Sequence, residues 1–316
     1  MSTIILQPHK HRYWRSFAHY IQYLFWCTSE IINEPKYKYI IINADDIVED
    51  LIYLKGNKIE DNNFENGRLH KNRYILMYLK KISDLFDVII DNKFDNNDIY
   101  KRNTYSYPKI EGYFILNNEI KQTNLINWFS YYNSEEMRNK FILDNYDNIK
   151  IGIVNRLPKS GRFLNNCSDL CDVLKNKFNI KPDVTYFEDK SFDYQIKFFN
   201  NHKIIISPHG AQLINIPFCQ DNALIIECCH KEWHPYNYYP GLSHSSNKYH
   251  VMICDDHSYF PSHVDRTMEQ VKLAKKKRIK IGNNKLNIKV NIDKVIDIIN
   301  TYLKNEKLES HNIYLV

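Results

Sequence analysis

The side chains best suited to chemistry stand at the ends of three short apolar runs. Ile204–Ile206 ends at Ser207-Pro208-His209-Gly210, and Ala223–Ile226 ends on Glu227. Between them, Ala211–Phe218 is apolar at helical spacing, so the stretch reads as strand, turn, helix, strand. The turn delivers a histidine and a glycine to a helix start. The free N–H groups and the dipole there favour an anion such as a diphosphate. Glu227 falls at the carboxyl end of the next strand, where ligands of open α/β sheets bind. A carboxylate there can accept hydrogen bonds from both hydroxyls of a ribose. A third run, Lys150–Val154, leads into Asn155-Arg156-Leu157-Pro158-Lys159-Ser160-Gly161-Arg162, which holds three cations. The arginine fork suits phosphate oxygens. Taken alone, such a loop is equally a solvated basic loop. Beside a strand-end His209-Gly210 in the same sheet, phosphate binding gains weight. Asn215, inside the short helix, serves equally well as a ligand contact or a structural hydrogen bond.

Other chemistries find less support. The chain has eight glycines and neither G-x-G-x-x-G nor G-x-x-x-x-G-K, which excludes a dinucleotide fingerprint and a P-loop. A nucleotide must here be held by side chains where those motifs use glycine backbone. Histidines and cysteines crowd residues 202–263, but no pair of spacings matches a zinc pattern. Asp45-Asp46, after a strand, reads as a cap or turn before it reads as a metal pair. No G-x-S-x-G elbow is present. The basic run Lys275–Arg278 lacks interleaved aromatics, so nucleic acid is not an expected partner.

These residues need a scaffold, and the second half of the chain supplies an alternating one. Strands are expected at Lys150–Val154, Val184–Phe187, Ile204–Ile206 and Ala223–Ile226. Helices are expected at Ser168–Phe178, with Asn165, Asn166 or Ser168 as cap, and at Ser191–Asn200, capped by Ser191. The alternation argues a parallel sheet covered on both faces. Val251–Ile253 adds a strand and Ile292–Leu303 an amphipathic terminal helix. The first half is less regular. Thr3–Leu6, Tyr39–Ile42 and Val88–Ile90 read as strands, Arg12–Ile32 and Arg73–Ile82 as helices, and Asp91–Ser106 as surface loop.

A chain of 316 residues implies two domains, divided here as residues 1–146 and 147–316, with the last helix packing back on the first. The net charge of +6 suits phosphorylated ligands. Seven scattered cysteines argue against a disulfide framework and for a reducing, cytoplasmic compartment. Ile21–Ile32 is apolar but too short to span a bilayer, so no transmembrane segment is expected.

Three segments resemble glycosyltransferase family 61. The first is IGIVNRLPKSGRFLNN, Ile151–Asn166; the second is SFDYQIKFFNNHKIIISPHGAQLINIPFCQDNALIIE, Ser191–Glu227; the third, weaker, is Ser16-Phe17-Ala18-His19. The resemblance implies an α/β fold of GT-B type, with two Rossmann-like domains facing a cleft, the C-terminal one binding the nucleotide sugar and the N-terminal one serving the acceptor. It implies an inverting, metal-independent transfer of GlcNAc or a pentose such as xylose from a UDP-sugar to a glycan, glycolipid or glycoprotein hydroxyl. By matching position, Asn155, Arg156, Arg162, Ser207, His209, Gly210, Ala211, Asn215 and Glu227 bind the donor, with Glu227 on the ribose. The family's turn usually has glycine where Gln212 stands here, and the acid common about four residues after the N-terminal histidine is replaced by Gln22 and Tyr23. The catalytic base is then His19 or, second, Asp45. The missing acid also motivates an alternative, a non-catalytic protein that binds nucleotide sugars or polyanions.

Overall fold

The computed structural model describes residues 2–6, 25, 28, 31–32, 37–42, 67–87, 89–91, 100–102, 109–116, 119–126, 138–141, 143, 148–158, 161–188, 190–230, 239–254, 287–304 and 312–315. The chain forms two compact units, Met1–Pro108 with Trp128–Ile142, and Lys109–Asn127 with Leu143–Val316.

The first unit holds strands β1 (Ser2–Leu6) and β2 (Tyr37–Ile42), helix α1 (Gly67–Phe86), and strands β3 (Ile89–Asp91) and β4 (Tyr100–Arg102). The strands pair in the order β3-β2-β1-β4, all parallel. That is the order of the first four strands of a doubly wound nucleotide-binding fold. Parallel neighbours need a crossover, and α1 supplies the one from β2 to β3. Tyr78, Leu79 and Ile82 of α1 are buried. Phe25 meets the Tyr78 ring edge to face at 5.7 Å, and Thr28 Oγ1 shares a 2.8 Å hydrogen bond with the Tyr78 hydroxyl. Strand β4 lies within the segment expected to be surface loop. Its Asn- and Asp-rich flanks hid a three-residue strand that pairs with β1.

The second unit begins with an antiparallel hairpin, β5 (Lys109–Leu116) and β6 (Glu119–Ile126). There follow β7 (Ile151–Asn155), α2 (Cys167–Phe178), β8 (Asp183–Tyr186), α3 (Phe192–Asn201) and β9 (Ile204–Pro208). A 3-10 helix (Ala211–Phe218), β10 (Leu224–Cys229), α4 (Tyr239–Ser245), β11 (Tyr249–Cys254), α5 (Ile292–Leu303) and β12 (Asn312–Leu315) complete it. The sheet order is β6-β5-β12-β11-β10-β9-β7-β8, parallel except for the edge strand β6. Strands β7, β9 and β10 are buried along their whole length, as continuous apolar runs in a doubly covered parallel sheet should be. Edge strand β8 exposes Asp183, Val184 and Tyr186.

The period of two sorts the strand residues between faces. Ile151, Ile153, Ile204, Ile206, Leu224, Ile226, Val251 and Ile253 share a core with Leu170 and Leu174 of α2 and Val295, Ile298, Ile299 and Tyr302 of α5. The terminal helix thus covers the sheet of its own unit. Its three- and four-residue apolar spacing fills the face left bare beside α2. The opposite face carries α3, the 3-10 helix and α4. Ser191 caps α3 as expected, accepting from Tyr194 N at 3.1 Å. Asn166 stands at the N-cap of α2 without capping it. Its side chain instead pairs with both backbone groups of Val290 at 2.9 Å.

Candidate active site

In the second unit the chain goes from β7 through α2 on one face to β8, then through α3 on the other face to β9, which returns beside β7. Strand order therefore reverses between β7 and β9. At such a switch point the two connections part to opposite faces and leave a crevice at the carboxyl ends, where open α/β sheets bind ligands. The basic loop leaves β7 and the His-Gly turn leaves β9 at this point.

The basic loop is built around Asn155. Its side-chain Oδ1 accepts from Arg156 N at 2.8 Å and Leu164 N at 2.9 Å, and its Nδ2 donates to Leu164 O at 3.3 Å. Asn155 is buried and closes the base of the loop. Glu188 Oε1 accepts from Leu157 N at 3.0 Å. Past the loop, Leu164 bridges to Ile288. Gly161 and Arg162 both have positive φ, 67° and 56°. For arginine this left-handed backbone costs about 1 kcal/mol or more, a strain of the kind that collects at functional sites. The loop thus ends with the half-buried Arg162 held in a forced direction.

The turn after β9 is held just as firmly. His209 N continues the ladder to Cys228 O at 2.8 Å. Ser207 Oγ donates within the sheet, to Val154 O at 3.0 Å, and so braces the strand end without presenting itself. Gly210 is extended, with φ 175°, so its backbone imposes no demand for glycine. Its surroundings do. A Cβ there would lie 2.9 Å from Arg156 Nη1 and 2.4 Å from Gln212 Oε1. Arg156 therefore reaches across from the β7 loop to lie against the Gly210 backbone. Gln212 folds back over the same turn, its Nε2 donating to Pro208 O at 2.6 Å and Ser207 Oγ at 3.1 Å. Burial lowers the Arg156 proton affinity, opposed by Glu188; the guanidinium stays charged at any physiological pH.

Behind the turn is a buried polar chain. His209 Nδ1 hydrogen-bonds Glu227 Oε1, Glu227 Oε2 meets His250 Nε2 at 2.9 Å, and His250 Nδ1 meets Ser243 Oγ at 2.7 Å. Glu227 is wholly inaccessible to solvent, at 0% exposure. Both its oxygens are engaged by ring nitrogens, so the ribose role expected from its strand-end position meets a carboxylate turned inward. The Tyr239 ring lies 5.2 Å from that of His209. Tyr239 and Ser243 stand one turn apart on α4, so one face of that helix covers both histidines. Burial pushes the Glu227 carboxyl up, but the hydrogen bonds and charge from His209 and His250 outweigh it and hold it well below the carboxylate range. Burial lowers His209, against the pull of Glu227 and with help from Arg162 and Arg156. With Nδ1 engaged by Glu227, Nε2 lies on the opposite ring edge.

Arg156, His209 and Gly210 are thus brought together, and Arg162 is close enough to influence His209. Asn215 is buried, its Nδ2 donating to Gln195 Oε1 and Gln212 O at 3.1 Å each, while its Oδ1 has no hydrogen-bond partner. Ala211 is exposed at the opening of the 3-10 helix. His19 and Asp45, the expected bases, and Lys159 lie outside the described residues. Sequence reasoning missed Tyr239, Ser243 and His250. A polar His250 within an apolar strand was the available signal, since only its register decides which face it takes. His209, Glu227 and Cys229 bring ligand-type atoms within 4.8 Å of one another. Hydrogen bonds already engage His209 Nδ1 and both carboxylate oxygens, and no metal is assigned there. Among the described residues, no helix is long and apolar enough to cross a membrane.

Residues 107–226 match the model of the family described as Glycosyltransferase 61. The matched stretch runs from the β5–β6 hairpin into β10, ending one residue before Glu227. It includes both arginines and the His-Gly turn, and it stops short of Glu227, Tyr239, Ser243 and His250. No curated protein matches the chain. Over residues 107–226 the chain is thus similar to glycosyltransferase family 61, and that match supports a glycosyltransferase enzyme.

Proposed function

We propose that the second unit binds a UDP-sugar at the β7/β9 switch point and that the protein transfers the sugar, with inversion, to a hydroxyl of a glycan, glycolipid or glycoprotein. The observation that carries this reading is Arg156 lying against the Gly210 backbone beside His209. Two cations, a histidine edge and a 3-10 helix start converge where strand order reverses, which suits a diphosphate. In the transfer, the acceptor oxygen attacks the anomeric carbon on the face opposite the diphosphate. The bond from that carbon to the phosphate oxygen breaks, and the electron pair leaves with the diphosphate. Arg156, Arg162 and His209 stabilise the charge that develops there. Protein cations take this role, so no metal is needed. The acceptor proton passes to a base, His19 or Asp45, in the first unit. A parallel sheet in each unit supports the GT-B class. GlcNAc or xylose is the expected sugar. The scattered cysteines motivate a reducing, cytoplasmic setting.

A second reading, donor binding without turnover, draws on Gln212, whose side chain lies over the turn an anion would approach. Both readings meet one experiment. Thermal shift against UDP and UDP-sugars, with and without Mn²⁺, should show stabilisation by UDP and a larger one by a single UDP-sugar. About 100 Kd of ligand adds roughly 2.7 kcal/mol. That sugar should then be released or transferred. Binding without turnover favours the second reading, and absence of any nucleotide shift defeats both.

A further inference from the structure

The switch point accounts for Arg156, Arg162 and one edge of His209. It leaves unexplained why a second histidine, in β11, and a serine of α4 are buried behind the carboxylate. Ser243 and Glu227 are fully buried, and His250 is 2% exposed. All three lie beyond the segment that matches the glycosyltransferase family.

Register explains how they meet. Parallel partners point to the same face, and Ile225 pairs with His250 while Glu227 pairs with Ser207. Ile225 and Glu227 are two residues apart, so Glu227, His250, Ser207 and, one step past β9, His209 share one face. That face is covered by α4, whose Tyr239 packs on His209 and whose Ser243 meets His250. A buried carboxylate with one partner can still swing about its last torsion. Two ring nitrogens on its two oxygens, at either end, fix its plane.

We propose, resting on the donor-binding role of His209 above, that His250 backed by Ser243 is a positioning residue for sugar transfer. It locks Glu227 as a two-point acceptor, so that His209 keeps Nδ1–H toward the protein and offers Nε2 to the leaving diphosphate. With Glu227 ionised, Nε2–H of His250 donates to Oε2, and Nδ1 is left to accept from the Ser243 hydroxyl. Every polar atom of the chain from Ser243 to His209 Nδ1 is then satisfied. The arriving diphosphate offsets the charge of Arg156 and Arg162, and His209 takes up a proton at Nε2, becoming a donor to phosphate oxygen. The charged and titratable groups facing His209 are Glu227, Arg156, Arg162, Tyr239 and the Cys229 thiol.

The test uses the full chain with ¹⁵N-labelled histidine, following the ring nitrogens of His209 against pH and measuring UDP affinity by calorimetry. The signal is assigned by its loss in His209→Asn. His250→Phe removes the donor to Glu227 Oε2. The His209–Glu227 pair should then take up its proton at a pH higher by about one unit, the worth of a charge-assisted hydrogen bond. With the carboxylate plane no longer fixed, the misaimed His209 should weaken UDP binding about tenfold despite its easier protonation. His250→Gln, whose terminal amide reaches about as far as Nε2, should return both quantities toward wild type. Ser243→Ala should move the titration in the same direction as His250→Phe. Should His250→Phe fail to fold, the Ser243→Ala titration decides. A His209 titration that none of these variants moves overturns the proposal, as does a His250→Gln variant as impaired as His250→Phe. If wild type binds no UDP, the donor-site reading fails separately. The ligand-free titration still tests the relay.

Discussion

Gly210→Ala isolates the contact on which the donor site rests. The backbone at Gly210 is extended, so alanine meets no torsional penalty there. The atoms its Cβ would meet belong to two long side chains, Arg156 Nη1 at 2.9 Å and Gln212 Oε1 and Nε2 at 2.4 and 2.9 Å. Real Cβ contacts are longer than this, so both side chains must move. Neither movement empties the core, and the melting temperature should change by only a few degrees, equivalent to about 1 kcal/mol at most. Binding should respond differently. Pushing Arg156 off the turn removes a charge-assisted contact to phosphate, worth about 1.5–3 kcal/mol. At about 1.4 kcal/mol per tenfold, UDP affinity should fall roughly 10- to 100-fold. Calorimetry on Gly210→Ala, Arg156→Ala and the double variant forms a cycle. If alanine acts by displacing Arg156, it should cost little further affinity once Arg156 is gone. Additive losses would show that Gly210 acts on the ligand through its own backbone. An unchanged affinity in Gly210→Ala would refute the assignment of Arg156 to the diphosphate. A variant that unfolds would refute the packing argument.

Other consequences are more local. Asn155→Ala removes the three hydrogen bonds that close the basic loop, so chemical denaturation should report a loss of about 2–3 kcal/mol, with weaker UDP binding as the arginines lose their frame. Ser191→Ala deletes the cap of α3 and should cost about 1 kcal/mol with no change in UDP affinity; a change in affinity would mean that α3 shapes the site. Acidification should destabilise the protein in two stages. His209 is lowered in the folded state, so the unfolded chain binds the extra proton first, and stability falls as pH drops below about 6.5. Glu227 is lowered as well, so its contribution is complete above about 4.3 and is lost as pH falls below that value. A melting temperature flat from pH 7 to pH 3 would contradict both directions.

Much of the second unit was legible because its signals are local. A buried parallel strand is a continuous apolar run, and β7, β9 and β10 read as such. Ser191 announces α3 by its own hydrogen-bonding chemistry. The hairpin at Lys109–Ile126 escaped notice, although Asn117-Asn118 between two strand-forming stretches is a turn signal. Its partner β12 lies some 200 residues away in the chain. The segment Ala211–Phe218 was placed correctly as a helix. It winds as a 3-10 helix, with Pro217 within it.

The sequence by itself determined which residues end at the carboxyl edge of the sheet. Strand ends and turns are written in runs of five or six residues, and Arg156, Arg162, His209, Gly210 and Glu227 all follow such runs. It could not determine which way Glu227 faces. A carboxylate at a strand end can point to solvent, to a ribose or inward, and the choice depends on what stands on the neighbouring strand. His250 is 23 residues further on, and strand register alone puts it on the Glu227 face. One residue of slip would send it to the apolar side, among Val295 and Ile299. Helix α4 then closes the chain with Tyr239 and Ser243. The site's cations were readable because their placement is a property of the chain. Its buried acceptor was decided by pairing between strands, which only the tertiary structure fixes.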